Sequence, residues 1–158
     1  MLGFHPQRGI ALTFPQMAQR TLHLPDELAA RMLMAASRAY PNECCGLIEG
    51  ADAADGLRAT ALHEAKNIAD DPRRRFLIDP QVQFDLMRRL RGAGTRIIGC
   101  FHSHPDGEAA PSATDRAEAY ENEFLYLIAG GSPDVFTLKA YLFTDSVGFM
   151  PVTISWDE

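Results

Sequence analysis

The chain has 158 residues, and its 21 aspartates and glutamates outweigh 15 lysines and arginines to give a formal net charge of −6. That length suits one globular domain, and an apolar share of 46% with 23% charged residues belongs to a chain that buries a core, which excludes disorder as the whole answer. The acidic balance argues against a general nucleic-acid binder, which needs a basic face to displace counterions from phosphate; the longest cationic run is Arg73-Arg74-Arg75.

Residues 1–20 show no sustained period and are broken by Pro6 and Pro15, so they read as a leader of uncertain order, with residues 21–158 as the domain proper. Thr21-Leu22-His23-Leu24 alternates in the manner of an edge strand. Pro25 and Asp26 then open a helix through residue 39, with Leu28, Met32, Leu33 and Ala36 at helical spacing, and Pro41-Asn42 ends it. Residues 44–50 read as a buried strand, 51–56 as an acidic hairpin tip and 57–67 as a long, weakly alternating strand. A charged loop over 70–75 leads to Asp79-Pro80, a helix start. Val82, Leu86 and Leu90 define an apolar face there, arginines crowd the C-terminal end, and Gly92 and Gly94 close the helix.

Residues 96–102 form a compact apolar run suited to an interior strand. A Pro/Gly/Ala-rich loop and a short helix over 112–120 follow, then strands at 124–129, 135–143 and 147–156. The order β-α-β-β-α-β-α-β-β-β predicts a single α/β domain, a mixed sheet with helices packed on it. No stretch approaches the ~20 apolar residues that span a bilayer. Three cysteines, two of them adjacent (Cys44, Cys45), cannot build a disulfide framework, which points to a reducing, cytoplasmic setting.

The strongest chemical signal is His102-Ser103-His104-Pro105, followed after six residues by Ser112-Ala113-Thr114-Asp115. At the end of a strand, residues i and i+2 share a face, so both imidazoles can converge while Ser103 looks away and Pro105 stops the pairing. On the next helix, Ser112 and Asp115 are i and i+3 and share a face as well. Two imidazoles and a carboxylate make a borderline-soft site that suits Zn²⁺. Three protein ligands leave the fourth tetrahedral position to water, the mark of a catalytic ion.

His-Ser-His-Pro-x₆-Ser-x-x-Asp, with Glu43-Cys44-Cys45-Gly46 upstream, resembles the JAMM (MPN-plus) metalloprotease family over residues 21–156, in its minimal stand-alone prokaryotic form. The resemblance implies a cytidine-deaminase-like α/β core and one catalytic Zn²⁺ held by His102, His104 and Asp115. It implies Glu43 as the general base acting on the zinc-bound water, and Ser112 as the donor that steadies the oxyanion. It further implies hydrolysis of a peptide or isopeptide bond at the C-terminal tail of a small ubiquitin-like (β-grasp) protein, a sulfur carrier being one such substrate. Only eight residues separate Asp115 from Phe124, which leaves little room for the cleft insertion of ubiquitin-specific relatives. Glu108 is a rival base, and Asn67 resembles a family position that orients site or substrate.

Two other functions compete: a non-catalytic scaffold, against which the intact ligand set argues, and a RadC-like nucleic-acid role, against which the charge argues. A zinc deaminase would want H-x-E and P-C-x-x-C, and neither occurs. Cys44, Cys45 and Cys100, the last on the His102 face of its strand, read as inert buried thiols rather than a fourth ligand or redox switch. His5, His23 and His63 read as surface or packing residues, Arg73–Arg75 as a solvated loop that could attract a substrate tail if it bordered the cleft, and Trp156 as a packing anchor.

Overall fold

A computed structural model describes residues 20–157; all of the leader but Arg20, His5 included, lies outside the described residues. In chain order the elements are β1 (Thr21–Pro25), α1 (Asp26–Ala39), β2 (Cys45–Ala53), β3 (Gly56–Ala65), α2 (Pro80–Arg89), β4 (Arg96–Pro105), α3 (Ala113–Glu118), β5 (Phe124–Ser132), β6 (Val135–Thr144) and β7 (Gly148–Asp157). This is the predicted order, element for element. The caps explain much of it. Asp26 and Glu27 sit in the first turn of α1, where negative charge complements the helix dipole. Asp79 caps α2 through a bond from the Gln81 N–H at 2.9 Å, with Pro80 in the first turn. Gly92 leaves α2 with φ +74°, a conformation that glycine reaches without strain.

The sheet differs from expectation in that it closes. Its strand order is β1-β3-β2-β4-β5-β6-β7, and β1 completes the ring by pairing parallel with both β3 and β7. Thr21–Pro25 is therefore not an edge strand; its two pairings leave no free ladder on either side. The β4–β5 pair is parallel as well, and the remaining ladders are antiparallel.

Two clusters of side chains lie on opposite faces of β4. On one face Phe101 joins Leu22, Leu24, Ile48, Leu125 and Leu127 against α1, which buries Leu28, Met32, Ala35 and Ala36. On the other face Cys100 packs with Tyr126 and Ile128, covered by Phe76, Phe124 and Phe149. Alternation along β4 thus puts Phe101 and Ser103 toward α1, and Cys100, His102 and His104 toward the second cluster. Three local expectations are corrected. Of the predicted apolar face of α2 only Leu86 is buried, while Val82 is 40% exposed, because the helix rests on β4 along a narrow contact. β4 runs past residue 102 and ends at its proline: His104 and Pro105 still pair with Gly130 and Gly131, since a parallel neighbour lies alongside. Trp156 is 54% exposed and anchors nothing.

Candidate metal centre

His102 and His104 come to one point because they are two residues apart on β4, and Asp115 meets them from the first turn of α3. Their donor atoms form a near-equilateral triangle. His102 Nε2 lies 3.1 Å from His104 Nε2, and both lie 3.1 Å from Asp115 Oδ2. Ser112 is the N-cap of α3 and builds a reciprocal capping box with Asp115. The Asp115 N–H donates to Ser112 Oγ at 3.0 Å, and the Ser112 N–H donates to Asp115 Oδ2 at 2.9 Å. The helix cap therefore aims the same carboxylate oxygen that faces the imidazoles.

The donor set fits a tetrahedral cation. Bonds of roughly 2.0–2.1 Å place tetrahedral ligand atoms roughly 3.3 Å apart, close to the triangle's edge. The tautomer of His104 fits too. Its Nδ1 lies 2.9 Å from the Glu108 carbonyl, which can only accept, so Nδ1 carries a proton and Nε2 is the nitrogen turned to the other two donors. His102 is fully buried, its Nδ1 has no hydrogen-bond partner, and its ring stacks on Phe76 at 4.3 Å between centroids. Burial lowers the pKa of His102 against the pull of Asp115, which keeps the imidazole neutral. Burial would raise the Asp115 carboxyl, but the hydrogen bonds from His102 and His104 outweigh it and hold that group well below the usual carboxylate range.

Glu43 reaches the site by register. Cys45 opposes His102 across the antiparallel β2–β4 ladder, so the same count sets Glu43, two residues earlier, across from His104. One ligand atom each of Glu43, His102 and His104 lies within 4.8 Å of the others. Glu43 therefore stands beside the tighter triangle that Asp115 completes. Its side chain is 4% exposed, and burial pushes its carboxyl up to about 8, opposed by His104 and reinforced by the negative charge of Asp115. Three main-chain ties hold this segment. The Glu43 N–H donates to Pro72 O at 2.7 Å, Asn67 Nδ2 donates to Glu43 O at 3.0 Å, and the Cys44 N–H donates to Ser103 Oγ at 2.8 Å. Ser103 thus does look away from the imidazoles, as alternation predicts, and it locks the Glu43 strand to β4.

Several further residues support the site, and of these the sequence marks only Asn67, through the family resemblance. Asn67 also donates to Arg75 O at 3.0 Å and accepts from the N–H groups of Ala69 and Leu77, which folds the following loop so that Phe76 lies on His102. A Cβ on Gly130 would fall far inside contact distance of the Ala109 nitrogen and the Glu108 carbonyl carbon, so only glycine lets that loop seat on β5. Tyr141 donates its hydroxyl to Ala109 O at 2.7 Å and pins the loop from β6. Glu108 contributes its main-chain carbonyl, while its side chain is exposed. The thiols of Cys44 and Cys45 are pushed up by burial, to about 11 and about 12, and burial raises Cys100 as well, so all three are neutral thiols. His63 bonds to Glu49 and His23 to Asp55, both away from the centre; Arg75 pairs with Glu118.

A closed mixed sheet that offers two strand histidines and a capped helix aspartate, with a buried carboxyl alongside, defines an α/β protein with a candidate mononuclear metal centre. Residues 25–142 match the model of the prokaryotic homologs of the JAB domain. The chain belongs to this family, the stand-alone prokaryotic branch of the JAMM/MPN group. It is 37% identical over 94 residues to a desampylase of Haloferax volcanii, a match that covers 60% of this chain and 65% of that protein, somewhat under two thirds of its length. It is 28% identical over 120 residues to a CysO-cysteine peptidase of Mycobacterium tuberculosis, covering 75% of this chain and 80% of that one. A protein of Desulfitobacterium hafniense, solved in solution, superposes with a TM-score of 0.77 at 30% identity over 87% of this chain and 93% of that one.

Proposed function

We propose that the chain is a zinc-dependent hydrolase that cleaves a peptide or isopeptide bond at the C-terminal tail of a small ubiquitin-like protein, with residues 21–158 as its catalytic domain and the cytoplasm as its setting. The observation that carries this reading is the 3.1 Å triangle of His102, His104 and Asp115 beside a buried Glu43. The desampylase and the CysO-cysteine peptidase among its relatives support a protein-conjugate substrate, a β-grasp sulfur carrier being the first candidate.

His102, His104 and Asp115 would hold the ion. When bound, it supplies Lewis acidity that brings the pKa of water down toward neutrality. Glu43 receives the proton of the attacking water and hands it to the leaving amine. Its raised pKa, about 8 from burial, suits a group that must both take and release a proton near neutral pH, and a nearby cation pulls that value down. Ser112 accepts from the Asp115 N–H, which leaves its own hydroxyl proton free for the oxyanion of the substrate carbonyl.

The test incubates the zinc-loaded protein with β-grasp sulfur carriers bearing C-terminal extensions and follows their intact masses. Removal of the extension by the wild type and a loss of ~10²-fold or more in rate in Glu43→Gln are expected. No cleavage of any carrier, or cleavage undiminished in Glu43→Gln, overturns the reading.

A further inference from the structure

On the Asp115 side of the triangle the surface opens into a cavity of ≈ 270 Å³. Its walls are Phe76 and Ile78 from the loop before α2, Cys100 from β4, Ala119 after α3, and Phe124 and Tyr126 from β5. Asp115 itself lines the cavity, so the space lies next to the metal-ligand triangle. The walls are braced: Phe124 and Phe149 meet the Tyr126 ring edge-on, at 5.6 and 4.9 Å between centroids, and Phe76 is stacked on His102.

Its chemistry selects. At the rim Arg75 pairs with Glu118, while the Glu121 carboxylate accepts from the neutral Gln83 amide at 3.3 Å. An anionic side chain entering the cavity would meet the Asp115 and Glu121 carboxylates as like charges, and a cationic one would exchange its water for largely apolar walls, whereas an apolar side chain gains by burial. The volume lies just below the roughly 300–1,000 Å³ of sites for drug-sized ligands, which suits a single side chain. We propose that this cavity is a specificity pocket for one uncharged, apolar side chain of the substrate, on a residue flanking the cleaved bond. The proposal rests on the hydrolase reading above and extends it to what the enzyme selects.

The test uses the zinc-loaded protein and fusions of a β-grasp sulfur carrier to a C-terminal extension. One series varies the residue after the cleaved bond through Gly, Leu, Phe and Lys; a second series varies the residue before it. In the series that the pocket serves, Leu or Phe is expected to exceed Gly in kcat/KM by roughly tenfold to a hundredfold, with Lys no better than Gly. Which series responds identifies the side of the bond.

Ala119→Leu, which narrows the cavity from the end of α3, is expected to abolish the advantage of Leu and Phe and leave the Gly fusion within about twofold of wild type. Phe124→Ala, which widens it from another wall, is expected to move the optimum toward the bulkier side chain, and it decides the matter should Ala119→Leu fail to fold. Flat profiles in both series, a preference for Lys, or an equal loss on every fusion in Ala119→Leu overturns the pocket and leaves the hydrolase reading standing. Failure to cleave any fusion overturns the hydrolase reading and the pocket with it.

Discussion

Replacing Gly130 with alanine is expected to disturb a proposed metal ligand that it does not touch. The new methyl group would collide with main-chain atoms, the Ala109 nitrogen and the Glu108 carbonyl carbon, which cannot rotate aside. β5 cannot retreat either, since it is paired along its length with β4 and β6. The 106–111 loop must therefore lift. Lifting breaks the Tyr141 bond to Ala109 O and the His104 Nδ1 bond to Glu108 O, each worth about 1 kcal/mol net. It also exposes the Ala109 methyl, worth about 0.8 kcal/mol, against a gain of about 0.4–1 kcal/mol from a stiffer unfolded chain. The balance is a loss of about 2 kcal/mol, or about 4–8 °C in Tm for a chain of this size. Freed of its carbonyl, His104 no longer has an assigned tautomer, and affinity for Zn²⁺ is expected to fall about 10–100-fold in a chelator competition. Tyr141→Phe removes one of the two bonds and is expected to cost about 1 kcal/mol with a smaller loss of affinity. Because both changes act on one loop, the double variant is expected to cost little more than Gly130→Ala alone. An unchanged affinity in Gly130→Ala, with the His104 ring-nitrogen shifts also unchanged, would refute the claim that this loop orients the imidazole.

Asn67→Ala is expected to destabilise by about 1–3 kcal/mol in urea unfolding, since it strips partners from Glu43 O, Arg75 O and two N–H groups at once; faster amide exchange at Leu77 would mark the loop as the part released. Glu49 is held below its ordinary 4.5 by the Thr95 hydroxyl first and by His63 next, so its folded pKa lies under its unfolded one. The stability it contributes is present above about pH 4.5 and is lost as pH falls through the folded value, so the gap between wild type and Glu49→Gln is expected to be widest at neutral pH and to close in acid. Cys45, at 2% exposure with its thiol raised by burial, is expected to resist a thiol reagent at pH 8 in the native protein and to react on unfolding; rapid native labelling would refute its burial.

What could be read from the sequence is what depends on near neighbours. The starts of α1 and α2 are written in Pro25-Asp26-Glu27 and Asp79-Pro80, and the convergence of His102 with His104 follows from the pleat alone. The closure of the sheet depends on long-range register: a strand as short as Thr21–Pro25 pairs with β3 on one side and β7 on the other, and no local pattern encodes that choice. Glu43 is an intermediate case. Its motif flags it, yet its place beside His104 depends on the β2–β4 pairing. Asn67, Gly130 and Tyr141 were not legible as site builders because each acts through main-chain groups of a distant segment, a role any amide, glycine or phenol in a sequence could equally lack. Of the three, only Asn67 is marked in the sequence, and that through the family resemblance.

The division of labour along β4 explains why the centre sits there. A metal-ligand triangle tolerates little positional error, and a strand covered on one side only would transmit solvent motion to its ligands. β4 is buried on both faces: Phe101 and Ser103 seat it against α1 and the Cys44 main chain, so Cys100, His102 and His104 project from a backbone that cannot shift. The third donor comes from a six-residue helix too short to be stable by itself, but its capping box uses the very carboxylate oxygen that faces the imidazoles. Filling the triangle and forming α3 would therefore be coupled: the proposed cation would hold Asp115 in place, and Asp115 in turn holds the first turn of the helix whose far end walls the neighbouring cavity at Ala119.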